Sequence, residues 1–114
     1  SFTLDIVETD SEKSIIGEAS DYIKVLLKLL PNDYATPLYM SDIEGTDQKI
    51  IAENLGLTLT NTKTRIQRAR LKLKDRFLEC CVVGFGENGE MVSFDIKPQC
   101  TELQAEKNKL KNSL

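Results

Sequence analysis

The side chains best suited to chemistry lie in one short basic segment, residues 60–76. The segment holds seven lysine and arginine residues and one acid, whereas the whole chain has a net charge of −3. On a helix drawn at 100° per residue, one outward stripe carries Asn61, Arg65, Arg68 and Lys72. Arginine can donate two hydrogen bonds to guanine, asparagine can pair with adenine, and lysine places a charge beside a phosphate. The stripe is therefore predicted to contact DNA.

The rest of the chain is acidic. Residues 1–59 hold eleven acids and four lysines, and residues 77–114 add a further net −2. An acidic body with one basic segment suits a protein that touches a polyanion in a single orientation. The plainer alternative is a solvated face of an ordinary surface helix. We favour DNA contact because the charges have one sign and directly follow a helix-glycine-helix pattern.

Composition excludes several classes of protein. The 114 residues form one compact domain, and no histidine is present, which removes the commonest general base and argues against an enzyme. No apolar run approaches the roughly 20 residues that span a bilayer, and the N-terminus lacks the features of a signal peptide. A soluble, cytoplasmic protein is expected. Because the chain opens on Ser1, it is expected to be a processed protein or a piece of a longer one.

Two helices are predicted in the first half of the chain. The first runs from Thr9 to Leu30 and ends before Pro31, with Thr9 and Glu12 at capping-box spacing. Its apolar residues recur every three or four positions: Ile15, Ile16, Ala19, Tyr22, Ile23, Leu26 and Leu30. The second helix covers Tyr34–Ile43 and is expected to start or bend at Pro37.

A helix-turn-helix is predicted at about residues 46–80. A short helix, Asp47–Leu55, ends at Gly56 and places Ile50, Ile51 and Leu55 inward. The longer helix begins after Thr58 as N-cap and ends near Cys80. Its inward stripe consists of Leu59, Thr62, Ile66, Ala69, Leu73 and Phe77. Lys63, Arg70 and Lys74 form a second basic flank on the other side of this stripe.

The period of the pattern changes from helical to alternating after Cys80. The runs Val82–Phe85 and Met91–Ile96 are joined by Glu87-Asn88-Gly89-Glu90, and Asn-Gly indicates a hairpin. Residues 101–114 are a weak helix or a frayed end. The predicted organisation is a helical domain over residues 1–80, a β-hairpin appendage over 81–100 and a tail over 101–114.

Four leucines fall outside the predicted core stripes. Leu27 and Leu29 lie off the stripe of the first helix, and Leu71 and Leu78 face outward from the long helix. Such residues are covered either by another part of the chain or by a partner. The hairpin is expected to cover Leu78.

The cysteines are a possible metal site. Cys80, Cys81 and Cys100 could supply three thiolates to a zinc ion, with Asp95 or Glu79 as a fourth ligand. The paired Cys-x-x-Cys spacing is absent, and adjacent cysteines on a helix point about 100° apart. We therefore expect no cofactor and ordinary buried thiols in a reducing cytosol, with zinc as the weaker alternative and a disulfide between adjacent cysteines weaker still.

Three strings together resemble a known family. Asp42-Ile43-Glu44-Gly45, Ile50 to Leu57 and Lys63 to Arg70 are similar to region 4 of the extracytoplasmic-function sigma factors of bacterial RNA polymerase. The resemblance covers about residues 20–80. Residues 39–45, and the double cysteine before a short β-segment, most resemble the SigZ-like subgroup.

The resemblance implies a mainly α fold, a four-helix region 4 domain with a small appended β-hairpin. It implies promoter recognition at the upstream (−35) element in the major groove, docking on the β-flap of RNA polymerase core to direct transcription initiation, and a possible anti-sigma factor. Together with the basic stripe, it assigns DNA binding to Asn61, Lys63, Thr64, Arg65, Arg68 and Lys72. The alternatives are a helix-turn-helix effector domain of another regulator and a cysteine-based metal or redox sensor module.

Two positions depart from the family pattern. Asn61 stands where the family has threonine, so the base preference at that position cannot be transferred. Thr62 stands where the family has an inward valine. Its hydroxyl is expected to cost stability unless it donates a hydrogen bond back to the carbonyl of Thr58.

Overall fold

A computed structural model describes residues 10–113, with side chains from Ala19 onward. This part of the chain folds into five α-helices, one π-helical turn and a two-stranded antiparallel hairpin. In chain order the elements are α1 (Asp10–Lys28), α2 (Asn32–Leu38), the π turn (Tyr39–Ile43), α3 (Gln48–Leu55), α4 (Leu59–Cys80), β1 (Cys81–Phe85), β2 (Met91–Ile96) and α5 (Thr101–Asn112). The mainly α prediction with an appended hairpin is confirmed. The predicted Thr9 cap lies outside the described residues.

The connection between α1 and α2 turns at a proline. Helix α1 ends at Lys28, and Pro31 is the N-cap of α2. Of the two alternatives for Pro37, a helix that starts there is excluded, because α2 begins at Asn32 and contains Pro37. A proline supplies no backbone donor, so one hydrogen bond of this short helix is missing. The backbone continues directly into the π turn at Tyr39–Ile43.

The predicted helix-turn-helix is present, with its caps. The Asp47 carboxylate accepts a hydrogen bond from the Lys49 amide at 2.8 Å at the start of α3. Gly56 ends α3 in the left-handed conformation, with φ of 67°. The Thr58 hydroxyl then accepts a hydrogen bond from the Asn61 amide at 3.0 Å at the start of α4. Glycine adopts positive φ at little cost, which explains why the turn is placed there.

Helix α4 passes through the centre of the core. Its predicted inward residues are buried from Thr62 to Phe77, and Leu59 is half-buried. The Thr62 hydroxyl donates a hydrogen bond to the Thr58 carbonyl at 2.9 Å. This is the hydrogen bond that the buried hydroxyl was expected to need in order not to cost stability. The core that surrounds α4 includes Ala19, Ile23, Leu26, Leu38, Ile51, Cys81, Met91, Cys100 and Leu103. The hairpin and α5 therefore share one core with the other helices.

The hairpin turns through a three-residue loop. The Gly89 amide donates to the Gly86 carbonyl at 3.1 Å, and Gly89 has φ of 80°. These values are typical of a tight turn followed by one residue in the left-handed conformation, and Gly89 is that residue. Val83 pairs with Phe94, and the register shifts between Gly84 and Phe85.

The tail is a helix that is tied to the rest of the domain. Leu103 is fully buried, and the side-chain amide of Gln104 donates to the carbonyls of Ile96 and Lys97 at 3.2 and 3.3 Å. Of the two tail alternatives, the structure shows the helix rather than a frayed end. A tertiary hydrogen bond and one apolar anchor stabilise a segment whose own sequence is a weak helix former.

Burial at Ile50 differs from the sequence prediction, burial at Leu78 meets it in part, and burial at Leu27 decides between two alternatives. Ile50 is 49% exposed because α3 presents Ile51 and Ala52 to the core instead. Leu27 is 3% exposed, so another part of the chain, and not a partner, covers it. Leu78 lies beside the hairpin but remains 39% exposed.

Candidate nucleic-acid interface

The outer face of α4 presents most of the predicted DNA-binding residues together. Asn61, Thr64, Arg68 and Lys72 are exposed on this face, and Arg65 is half-buried beside them. Lys63 is exposed as well, but two residues along a helix correspond to roughly 160° of rotation from Asn61. The structure therefore groups five of the six residues and places Lys63 on the opposite flank. We call the face defined by Asn61, Thr64, Arg65, Arg68 and Lys72 the outer stripe.

Arg65 lies against the start of α2. Its guanidinium is 3.9 Å from the Asp33 carboxylate, which is 83% exposed. An exposed ion pair at this distance contributes little free energy, so Arg65 can exchange this partner for a phosphate or a base at small cost. Asp33 also holds the arginine near the stripe in the absence of DNA.

Lys72 lies above an aromatic ring. Its Nζ atom is 5.1 Å from the centroid of the Tyr34 ring. A cation at this distance is attracted to the negative face of the ring, by about 0.5–1 kcal/mol at an exposed site. Tyr34 on α2 therefore supports the C-terminal end of the outer stripe, and Asp33 supports its middle.

The start of α4 is fixed by threonines. The Thr58 cap and the bond from Thr62 to the Thr58 carbonyl lie within its first turn. Two residues further on, the Thr64 hydroxyl donates to the Thr60 carbonyl at 3.0 Å. These bonds order the turn that carries Asn61. The hydroxyl of Thr64 must leave its backbone partner, or share it, in order to donate to DNA.

A second ion pair holds α4 against the π turn. The Arg70 guanidinium donates to both carboxylate oxygens of Asp42, at 2.9 and 3.0 Å. Burial of Asp42 opposes its ionisation, but the hydrogen bonds from Arg70 and Ser41 and the positive charge of Arg70 act together against that effect, and the pKa of the carboxyl is lowered. Two parallel hydrogen bonds fix the orientation of both side chains. Arg70 is therefore a positioning residue for α4 and lies away from the outer stripe.

The prediction of ordinary buried thiols is wrong for two of the three cysteines. Cys80 and Cys100 form a disulfide with their Cα atoms 5.3 Å apart. The end of α4 and the start of α5 meet at this point, across the hairpin, which brings together residues 20 positions apart. Cys81 is a buried free thiol, and burial raises its pKa to about 11 although Lys97 opposes the shift. The thiol is protonated at neutral pH and is a poor nucleophile.

Within residues 10–113, the structure shows neither a metal-binding group nor a membrane-spanning helix. There, histidine, cysteine and carboxylate side chains form no group of three that could hold a metal ion. The disulfide removes two of the three proposed zinc ligands, Cys80 and Cys100, because a metal binds the thiolate form. None of the helices in these residues is long and apolar enough to cross a membrane.

Sequence reasoning missed the contacts that support the outer stripe from α2. Asp33 and Tyr34 lie 32 and 38 residues before their partners on α4, and no local pattern connects them. The Asp42–Arg70 pair joins positions 28 apart and was also missed. A periodic pattern identifies a helix face, but it does not show which other element packs beside that face.

Comparison with known families assigns the class of protein. Residues 20–73 match the family described as sigma-70, region 4. These residues comprise the last nine residues of α1, all of α2 and α3, and α4 as far as residue 73. The chain thus belongs, over these residues, to the sigma-70 region 4 family and carries a sigma-factor DNA-binding domain.

A known sigma factor is similar to a longer part of the chain. RNA polymerase sigma factor SigZ of Bacillus subtilis (strain 168) is 34% identical to the chain over 89 residues. The alignment covers 78% of the chain and 51% of the relative, so the chain spans about half the length of this relative. No solved structure matches the chain.

Proposed function

We propose that this chain recognises the upstream (−35) promoter element by placing the N-terminal half of α4 in the major groove. It acts as part of a cytoplasmic sigma factor that brings RNA polymerase to promoters, with no catalytic step and no bound metal. The observation that carries the proposal is the outer stripe on the second helix of a helix-turn-helix. The match to region 4 of the sigma factors supports the same conclusion.

Each residue of the outer stripe has a distinct role in this proposal. Asn61 and Arg68 are exposed and reach base edges, where asparagine selects adenine and arginine selects guanine. Arg65 reads a base after leaving Asp33. Lys72 contacts a phosphate, which sets position along the duplex without selecting a sequence.

Docking on RNA polymerase requires a surface apart from the outer stripe. A groove between α1 and α2, lined by residues that include Leu27, Ala35, Tyr39 and Met40, has a volume of about 490 Å³. Apolar side chains form much of this groove, as expected at the centre of a protein–protein contact. We propose this groove as the polymerase contact. The family resemblance makes the β-flap the expected partner there, and it also makes an anti-sigma factor a possible partner of the domain.

Substitutions in the outer stripe test DNA recognition. Arg65→Ala or Arg68→Ala should cost about 1–3 kcal/mol of specific binding and relax discrimination at one base pair. Lys72→Ala should weaken all sequences about equally, because a phosphate contact carries no base information. The measurement is a gel-shift titration against a duplex selected from a random library and its single-base variants.

The matched control is Lys109→Ala, an exposed cation on α5. It should leave both affinity and base preference unchanged. If Arg65→Ala and Arg68→Ala also left both unchanged, the proposed placement of α4 in the groove would be wrong.

A further inference from the structure

An apolar groove lies between α4 and the tip of the hairpin. Leu71 and Leu78 line it from α4, and Val83, Phe85 and Met91 line it from the two strands. Its volume is about 400 Å³. We call it the hairpin groove. Leu71 is 58% exposed and Phe85 is 62% exposed, so the hairpin reaches these leucines without covering them. Exposed apolar side chains grouped in this way mark interaction sites.

The length of the hairpin groove fits a short helix. Its lining runs from Gln67 to Leu78 along α4, and this distance is about 16 Å at 1.5 Å per residue. Leu71 and Leu78 are seven residues apart and therefore lie two turns from each other on one side of α4. An amphipathic helix of three turns, with apolar anchors three, four and seven residues apart, covers such a surface.

The charge of the hairpin groove is one-sided. Arg70 and Lys74 are the ionisable residues of its lining, and no carboxylate contributes to it. Arg70 is paired with Asp42. Among the side chains that the structure describes, none forms an ion pair with Lys74. An occupant with acidic residues beside its apolar anchors would complement this rim, whereas a basic occupant would be repelled.

The hairpin groove is distinct from the surfaces assigned to DNA and polymerase. Seven of its ten lining residues, from Lys74 onward, lie beyond residue 73, where the match to region 4 ends. Leu71 is about 100° around α4 from Lys72, and it shares a side of the helix with Thr64 but lies two turns further along. The groove between α1 and α2 shares none of its residues.

We propose that the hairpin groove is a docking site for another protein, which inserts a three-turn amphipathic helix with an apolar face and acidic edges. The apolar face packs on Leu71, Leu78 and Phe85, and an acidic residue pairs with Lys74. This site adds a third binding surface to the domain. It does not depend on the DNA contact or on the polymerase contact.

A selection from a displayed library of helical peptides tests the proposal. The whole chain is the target, and the enriched peptides are sequenced and then mapped by amide chemical shifts on the labelled chain. We expect apolar residues at helical spacing, a net negative charge, and shifts confined to residues 67–78 and 83–91. Neutral or basic enriched peptides, shifts elsewhere, or no enrichment at all would overturn the proposal.

Three variants sharpen the test. Leu71→Asp and Phe85→Ser alter exposed side chains, so the fold should persist, and each should weaken a selected peptide at least tenfold. Lys74→Glu should weaken the same peptide and strengthen a version with lysine in place of its acids. The matched control is Leu29→Asp, just after the end of α1, another exposed leucine, which should not change peptide binding.

Other occupants of the hairpin groove give different results. If the chain dimerised and Phe85→Ser abolished the dimer, a second copy would be the occupant and the proposal would be overturned. A polymerase β-flap fragment that shifted the groove residues would overturn it too. Phe85→Ser, which changes no charge, should keep its affinity for the selected DNA duplex, and its loss of DNA binding would assign the groove to DNA instead.

Discussion

At the scale of single residues, the contact between Asp42 and Arg70 determines how the basic helix is held. Asp42 belongs to the π turn, and its carboxylate accepts two hydrogen bonds from a guanidinium on the far side of α4. The pair is mostly buried, with 9% of the Asp42 side chain exposed. Hydrogen bonds to charged groups in such a setting contribute more than those between neutral groups.

Asp42→Asn should therefore lower the free energy of unfolding by about 1–2 kcal/mol at neutral pH. The pKa of Asp42 is lower in the folded chain than in the unfolded chain, so the carboxylate stabilises the fold above pH 4 to 5. This contribution is lost as pH falls through the folded-state pKa. Urea titrations from pH 7 to pH 3 should show the difference between wild type and variant shrinking with acid.

The control for this prediction is Asp33→Asn, whose carboxylate is exposed and 3.9 Å from its arginine. It should change stability by less than about 0.5 kcal/mol at any pH. A difference between wild type and Asp42→Asn that stayed constant down to pH 3 would assign the effect to packing and not to charge.

Residue-level prediction from sequence succeeded where the cause was local. Thr58 as a cap, Gly56 as a helix stop and the hydrogen bond of Thr62 to its own helix all depend on neighbours within four residues. The sequence pattern placed Ile50 on the buried side of α3, which is wrong. In a helix of only eight residues, the pattern does not determine which residues face the core, because the elements that pack against the helix decide it. Asp42 and Arg70 could not be paired without the fold.

At the scale of elements, a disulfide joins the two ends of the segment that contains the hairpin. Helix α4 ends at Cys80, the hairpin occupies the next 16 residues, and Cys100 precedes α5. Alternation and an Asn-Gly pair were enough to predict the hairpin. The disulfide was not predicted, because cysteine spacing alone does not reveal which chain segments the fold brings together.

Removing the disulfide should destabilise the domain. In the chain-entropy account, closing a loop of about 20 residues contributes roughly 3 kcal/mol, and the double variant Cys80→Ser/Cys100→Ser should lose about this much. Urea titration measures the difference. Dithiothreitol should lower the stability of the wild type by a similar amount and leave the double variant unchanged.

A titration of thiols provides an independent check on the same bond. The denatured chain should show one thiol before reduction and three afterwards, whereas native Cys81 should react slowly because it is buried and protonated. A wild type whose stability did not respond to dithiothreitol would argue against a disulfide in solution.

At the scale of the whole molecule, one basic segment is part of an otherwise acidic chain. Residues 60–76 carry a net charge of +6, but residues 1–59 carry −7. The first half repels the remainder of a DNA duplex and so favours one orientation of approach. The charge of the whole chain, −3, conceals this arrangement, and only its distribution along the sequence predicted the binding face.

The isolated chain should accordingly bind promoter DNA weakly and with steep salt dependence. If about four cations reach phosphates, the slope of log affinity against log salt is about −3.6, a loss of roughly 10²-fold between 50 and 200 mM. Fluorescence anisotropy at these two concentrations measures it. Tight binding that did not change with salt would contradict the charge argument.

The length of α4 sets the distance between the outer stripe and the hairpin. The helix runs for 22 residues without a break, about 33 Å, and β1 starts at the very next residue. Twelve residues, or about 18 Å, separate Arg68 from the end of the helix. If α4 lies in the major groove as we propose, it carries the hairpin beyond the bases at a fixed distance. Because α4 is one rigid helix, its rotation in the groove would then also set the direction of the hairpin around the duplex.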